Sequence, residues 1–356
     1  MSTISTEEFV ARLAKKPLEN FSAIEHIEEF FLRERGYVFK LPKPGMPVIH
    51  LVSGGVESTV LWGLMLEKYH LCVYPLFLRR GTKRWEKERR AVDFFSKFYR
   101  ARYPKLFREP FDMGLQVVSP EVEVAIRKPY QYYHPQRILD AYRPETGIST
   151  LLSLGGFPIA YPFYGLSYAS YLWDHHNVRV NHFFSGVAPE DGGLVASQTI
   201  TALRVTMLVM SIASANAVLQ FGSLAFEKEY GLWLEKKDLI MLGARMGLPL
   251  EYTWSCYGAG SQQCGDRCLT CLHRRGAFVA AGIVDKTLYS CDAWLEKVKR
   301  RVVSAWYRLT SSSLRDRGTV EETETWKHEE VKTPWKQNQR RKSDIRSQEI
   351  KKNIEG

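Results

Sequence analysis

Apolar residues recur at helical spacing over residues 24–35, and Pro42, Pro44 and Pro47 then break the pattern. The apolar run Val48-Ile49-His50-Leu51-Val52 predicts a short buried strand that feeds a glycine turn, with a helix over 58–68 beyond it. Residues 71–78 read as a second apolar strand, and 86–103 as a charged helix with Ala91, Phe94, Phe95 and Phe98 on one side. This β-turn-α-β-α order predicts an α/β fold built on a doubly wound parallel sheet. Further strand and helix patterns fall at 183–187 (strand), 201–217 (buried helix) and 238–246, a short amphipathic helix ended by Gly247 and Pro249.

Two uncharged runs, 146–173 and 205–219, invite a membrane reading. The first is diluted by Pro158, Pro162, glycines, serines and tyrosines, and the second is shorter than the roughly 20 apolar residues a span needs. Both read as buried segments. The opening carries Glu7, Glu8, Arg12 and Lys15 and resembles no secretory or transit signal, so the expected location is cytoplasmic. From residue 311 onward charged and polar side chains dominate, which predicts a mobile tail.

At 356 residues the chain has room for about two domains. With 45% hydrophobic residues it is neither wholly disordered nor a disulfide mini-protein. Its net charge of +11 points to a polyanionic partner: nucleic acid, an acidic membrane surface or a nucleotide. The surplus is local. Residues 79–108 hold 12 Lys or Arg against 3 Asp or Glu, directly after the second predicted strand.

Two motifs carry chemistry. Ser53-Gly54-Gly55-Val56-Glu57-Ser58-Thr59 joins a strand to a helix, where glycines let backbone N–H groups approach an anion and hydroxyls add donors. It is not a P-loop of the lysine-containing kind, and an ordinary capped β–α turn is the plain alternative. Cys256, Cys264, Cys268 and Cys271 lie within 16 residues in a chain otherwise poor in cysteine. Their spacing suits a structural Zn²⁺ site with all four positions filled; a metal-free thiol cluster and an iron–sulfur site are the alternatives.

The first motif resembles the SGGxDS loop of the PP-loop ATP pyrophosphatases, with Glu57 in place of the family's Asp. Taken with Lys237-Asp238, Pro249, Thr253-Trp254-Ser255-Cys256-Tyr257, the cysteines and Arg274-Arg275-Gly276-Ala277-Phe278, the order resembles the zinc-containing 7-cyano-7-deazaguanine synthase family. The resemblance covers about residues 48–288 and is best over 235–278. It implies an adenine nucleotide alpha-hydrolase-like sheet with a C-terminal zinc-binding lobe. The implied division is an N-terminal helical extension (1–45), an ATP-binding domain (46–235), a helical and four-cysteine lobe (236–310) and the tail (311–356).

The implied activity is that of a ligase in queuosine biosynthesis. ATP, with Mg²⁺, activates a 7-carboxy-7-deazaguanine carboxylate, ammonia forms the amide, and a second ATP dehydrates it to the nitrile. Ser53, Ser58 and Lys237 are implied in catalysis, and Ser53 to Thr59 with Gly81, Lys83 and Arg84 in nucleotide binding. Gly186, Glu190 and Asp191 are implied at the substrate. Two departures stand out: Pro162-Phe163-Tyr164-Gly165 lacks the family's Arg and Asn, and Ala196-Ser197-Gln198 stands where the family has Asp-Cys-Arg. Three alternatives stay open: a relative joining a deazapurine to another amine, such as one on a protein in anti-phage defence; a PP-loop tRNA-modifying enzyme; and a non-catalytic zinc-containing nucleic-acid-binding protein. Nucleic acid is thus an open but less favoured partner. A second copy or a protein partner could bind through either extension. The general base is unassigned among His50, His70, His175, His176 and His182, and His273 reads as a surface or supporting residue beside the cysteines.

Overall fold

The computed structural model describes residues 3–79, 85–116, 150–193, 196–257, 260–266 and 268–292. Gly81, Lys83, Arg84 and the tail from residue 311 lie outside these described residues.

The chain enters through α1 (Thr6–Leu13) and α2 (Phe21–Arg35). Ser5 caps the first, its Oγ accepting the Glu8 N–H at 3.1 Å, and Asn20 caps the second. Both helices are amphipathic. Phe9, Leu13, Ile24, Ile27 and Phe31 enter the same core as the sheet.

Strand β1 (Pro47–Val52) leads into α3 (Val56–Glu67), β2 (Cys72–Arg79), α4 (Trp85–Arg102) and β3 (Phe111–Gln116). The chain returns through α5 (Thr150–His176) to β4 (His182–Phe184), then through α6 (Ile200–Ala213) to β5 (Gln220–Gly222). All pairings are parallel and the strand order is β3-β2-β1-β4-β5. Right-handed crossovers place α3 and α4 on one face and α5 and α6 on the other. The order reverses between β1 and β4, so the loops leaving those two strands flank a crevice at the carboxyl edge, where such sheets bind ligands.

A parallel sheet covered on both faces needs apolar residues throughout its centre. Val48, Ile49, Leu76, Phe77, Phe183 and Phe184 meet that need, all buried. Helix α3 is buried at Val56 and from Ser58 to Leu66 because the sheet, α4 and a later helix surround it, so it shows no amphipathic stripe. The uncharged run after residue 146 becomes α5, with Tyr168 and Leu172 buried against the core. No helix among the described residues is long and apolar enough to cross a membrane. After β5 a small hairpin, β6 (Phe226–Glu227) and β7 (Leu232–Trp233), precedes α7 (Lys236–Arg245) and α8 (Leu269–Ala280).

One buried charge ties the N-terminal helices to this frame. Arg204 on α6 is wholly buried; its Nε donates to Glu28 on α2 at 2.9 Å, and its Nη atoms donate to Glu227 at 3.0 and 2.5 Å. Burial opposes the guanidinium charge, yet Glu227, Glu229 and Glu28 outweigh it and push the pKa above its usual value. Removing the arginine strands the buried Glu227 carboxylate and leaves Glu28 to Lys228. Arg204→Ala is therefore expected to lower stability by about 3–5 kcal/mol, read from the urea midpoint. Replacing Arg204, Glu28 and Glu227 together by Leu should cost less than the single change. A single-variant loss below about 1 kcal/mol would show that the cluster does not hold the helices.

Candidate active site and thiolate centre

The glycine turn sits where β1 ends. Gly54 has φ +70, and a Cβ there would lie 2.6 Å from the Glu88 carbonyl oxygen and 2.9 Å from the Ala91 Cβ on α4. Only glycine meets both demands. Gly55 stands at the N-cap of α3 with no side-chain cap, so the positive end of a buried helix faces the turn. The Ser53 and Ser58 hydroxyls are 3.0 Å apart, and the Ser53 N–H donates to Ser58 Oγ at 3.2 Å. Val56 and Thr59 are buried, and the Thr59 carbonyl accepts the Tyr99 hydroxyl at 2.8 Å.

The loop after β4 presses on this turn. A Cβ at Gly186 would come within 2.8 Å of Ser58 Cβ, so the glycine lets the two loops touch. Farther on, Asp191 Oδ2 accepts the Ala188 N–H at 3.1 Å, and Glu190 Oε1 accepts the Lys236 N–H at 2.7 Å.

Lys236 is the centre of the cluster. Its Nζ lies 2.6 Å from Glu57 Oε1 and 3.9 Å from Asp191 Oδ1, with only 15% of the side chain exposed. Burial opposes its charge, but Glu57 and then Asp191 push its pKa up. Burial also opposes the Glu57 carboxylate, and the Lys236 charge and hydrogen bond hold it below the usual range. Asp191 is pushed up, first by burial despite Lys236 and then by Glu57. Burial pushes Glu190 up to about 7.

Lys237 does not join this cluster. It pairs with Glu235 at 3.0 Å, with 44% of its side chain exposed. Helical phase separates the two lysines: Lys236 shares its face with Leu239, Ile240 and Gly243, all buried on α7. His273 lies near the same cluster. It is half-buried, and burial followed by the nearby Lys236 charge holds its pKa below the usual value.

The Cys256, Cys264, Cys268 and Cys271 sulfurs are buried and all lie within 4.8 Å of one another. Four sulfurs about 2.3 Å from one ion stand roughly 3.8 Å apart, so the set fits a single tetrahedral metal. A multi-iron cluster, with each thiolate on a different iron, would hold them wider.

This lobe is bonded to the glycine turn. The Trp254 N–H donates to the Gly54 carbonyl at 2.7 Å, and the Trp254 indole donates to the Cys256 carbonyl at 2.9 Å. Lys87 on α4 donates to the Gly260 carbonyl and lies 5.1 Å from the centre of the Trp254 ring. Wholly buried Arg274, on the helix that carries Cys271, donates to Thr253 Oγ1 at 2.6 Å and Thr287 Oγ1 at 2.8 Å. It also pairs with Asp285 at 3.2 Å.

Comparison with known proteins places the second half of this site. Residues 211–282 match the family model of queuosine biosynthesis protein QueC. The chain is 46% identical over 69 residues to 7-cyano-7-deazaguanine synthase 1 of Mesorhizobium japonicum, a match covering 19% of this chain and 29% of the relative. It is 54% identical over 56 residues to the synthase of Methanothrix thermoacetophila, covering 16% and 25%. The matched stretch thus spans less than a third of these curated relatives. A solved structure, the U34-tRNA thiolase NcsA from Methanococcus maripaludis with its 4Fe-4S cluster, aligns over 72% of this chain and 71% of its own. Its 10% identity and TM-score of 0.30 are too low to carry an argument. The likeness to the QueC family is thus one of residues 211–282.

Metal analysis of the purified protein should return about one tetrahedral ion per chain, and Cys264→Ser should lower that content severalfold. Full retention of metal by the variant would mean that the ligand set is different.

Proposed function

We propose that this QueC-like protein is an ATP-dependent carbon–nitrogen ligase acting on a 7-carboxy-7-deazaguanine-type carboxylate. ATP converts the acid to an acyl-adenylate, ammonia forms the amide, and a second activation gives the nitrile. One observation carries the reading. Lys236, from the segment shared with the synthases, is held against Glu57 of the glycine turn, so the two motifs build one site.

The chemistry follows from the groups present. A carboxylate oxygen leaves poorly, and adenylation makes AMP the leaving group. The Ser53 and Ser58 hydroxyls and the first amides of α3 receive the pyrophosphate, while Lys236 offsets charge that develops there. Mg²⁺, bound with the ATP phosphates, supplies further charge neutralisation. A Zn²⁺ held by Cys256, Cys264, Cys268 and Cys271 stabilises the lobe that supports the turn. Gly186 keeps the β4 loop against Ser58, and Glu190 and Asp191 lie on the acceptor side. Ala196-Ser197-Gln198 lacks the charge expected there, which favours a second reading in which another amine replaces ammonia.

Supplying 7-carboxy-7-deazaguanine, ammonia and ATP should yield AMP, pyrophosphate and successive masses for amide and nitrile. Ser58→Ala and Lys236→Ala should each slow pyrophosphate release by about 10²–10³, and Lys237→Ala by less than about threefold. Arrest at the amide, or release only with another amine, would move the assignment to the second reading. No release with this acid would sink both.

A further inference from the structure

An amine that attacks an acyl-adenylate must shed a proton, and the histidines are badly placed to accept it. His70 precedes β2, His182 opens β4, and His175 and His176 end the helix that leads into β4. All four stand at the amino edge of the sheet, opposite the glycine turn. His50 is buried within β1, with Nε2 2.8 Å from the Ser58 carbonyl and Nδ1 3.3 Å from that of Phe184; burial holds its pKa down at about 4.

Glu190 is placed differently. It follows β4 at the carboxyl edge, and its Oε1 is anchored by the Lys236 N–H. Its Oε2 is buried and has no hydrogen-bond partner. A buried carboxyl oxygen without a partner is costly unless something arrives to use it.

We propose that Glu190 is the proton acceptor of the amine-transfer step, using the free Oε2. The proposal rests on the adenylation reading above. The nitrogen lone pair forms the C–N bond, and the bond from the acyl carbon to the AMP oxygen breaks with its electron pair on AMP. The proton from nitrogen passes to Oε2 and then to solvent. The charged groups facing Glu190 are Asp191 beside it and Lys236 and Lys237 at the start of α7, with Glu57 across Lys236. Burial sets this carboxyl near 7, where a base is both populated and able to hold a proton.

Glu190→Gln keeps an oxygen for the Lys236 N–H and removes only the base. Two half-reactions are measured with 7-carboxy-7-deazaguanine: ATP–pyrophosphate exchange, which needs no amine, and amide formation with ammonia. Glu190→Gln should lower exchange by no more than a few-fold and ammonia-dependent product by about 10²–10⁴. Hydroxylamine, a strong nucleophile even when weakly basic, should restore product. The wild-type advantage over the variant should shrink as pH falls below about 7. Equal loss in both half-reactions, or an unaltered ammonia rate, overturns the assignment, as does loss of the amine step in His273→Gln alone. Absence of exchange in the wild type overturns the adenylation reading itself, and the base with it.

Discussion

The Lys236–Glu57 ion pair is the constraint on which the site depends. It joins the first residue of α7 to the first turn of α3, and through Asp191 and Glu190 it fixes the loop that leaves β4. Burying such a pair is not free, since each ion loses water before the two attract. The cost is met by several contacts at once: two carboxylates on one ammonium, and the backbone amide of the same lysine on a third carboxyl. Three acids around one cation form a cluster poor in positive charge. Lys236 is therefore committed to Glu57 and Asp191 beside the N-terminus of α3.

The cysteine lobe belongs to this site because of how little holds it otherwise. Its own core is the four cysteines with Tyr289 and Cys291, and such a lobe takes its order from its metal. Trp254 then passes that order to the turn, bonding Gly54 through its amide and the lobe through its indole. Gly54 already sits at a φ that few residues adopt, against the Glu88 carbonyl. Arg274 adds a second tie by bridging Thr253 and Thr287 around Asp285. The thiolates and the glycine turn are thus neighbours in one bonded chain of contacts.

Much of this was legible in the chain. The strand-turn-helix around Ser53 and the four cysteines depend on local spacing, and the structure reproduces both. Strands β3 and β5 were missed because Phe111-Asp112-Met113-Gly114 and Gln220-Phe221-Gly222 carry polar residues whose partners are remote. Gln220 is buried, yet it bonds His182 at 2.7 Å and the Lys40 N–H at 2.5 Å. Charge was the poorest guide. The basic window suggested a phosphate-binding surface, but many of its described cations serve the fold: Arg79 and Arg89 meet Asp112, Arg100 meets Glu109, and Arg102 meets Glu67. Among the described residues, the cation that meets Glu57 is Lys236, outside that window.

The substitution of Glu57 for aspartate then acquires a physical meaning. A side chain one methylene shorter would stop about 1.5 Å sooner, stretching the 2.6 Å contact with Lys236 to roughly 4 Å, no closer than Asp191 stands. The longer residue makes the pairing one-sided: Glu57 takes the short contact and Asp191 the long one. Asp191 keeps its other oxygen on the Ala188 N–H, which holds the β4 loop in its turn. Glu190 meets Lys236 through the backbone amide, and its second oxygen is buried without a hydrogen-bond partner.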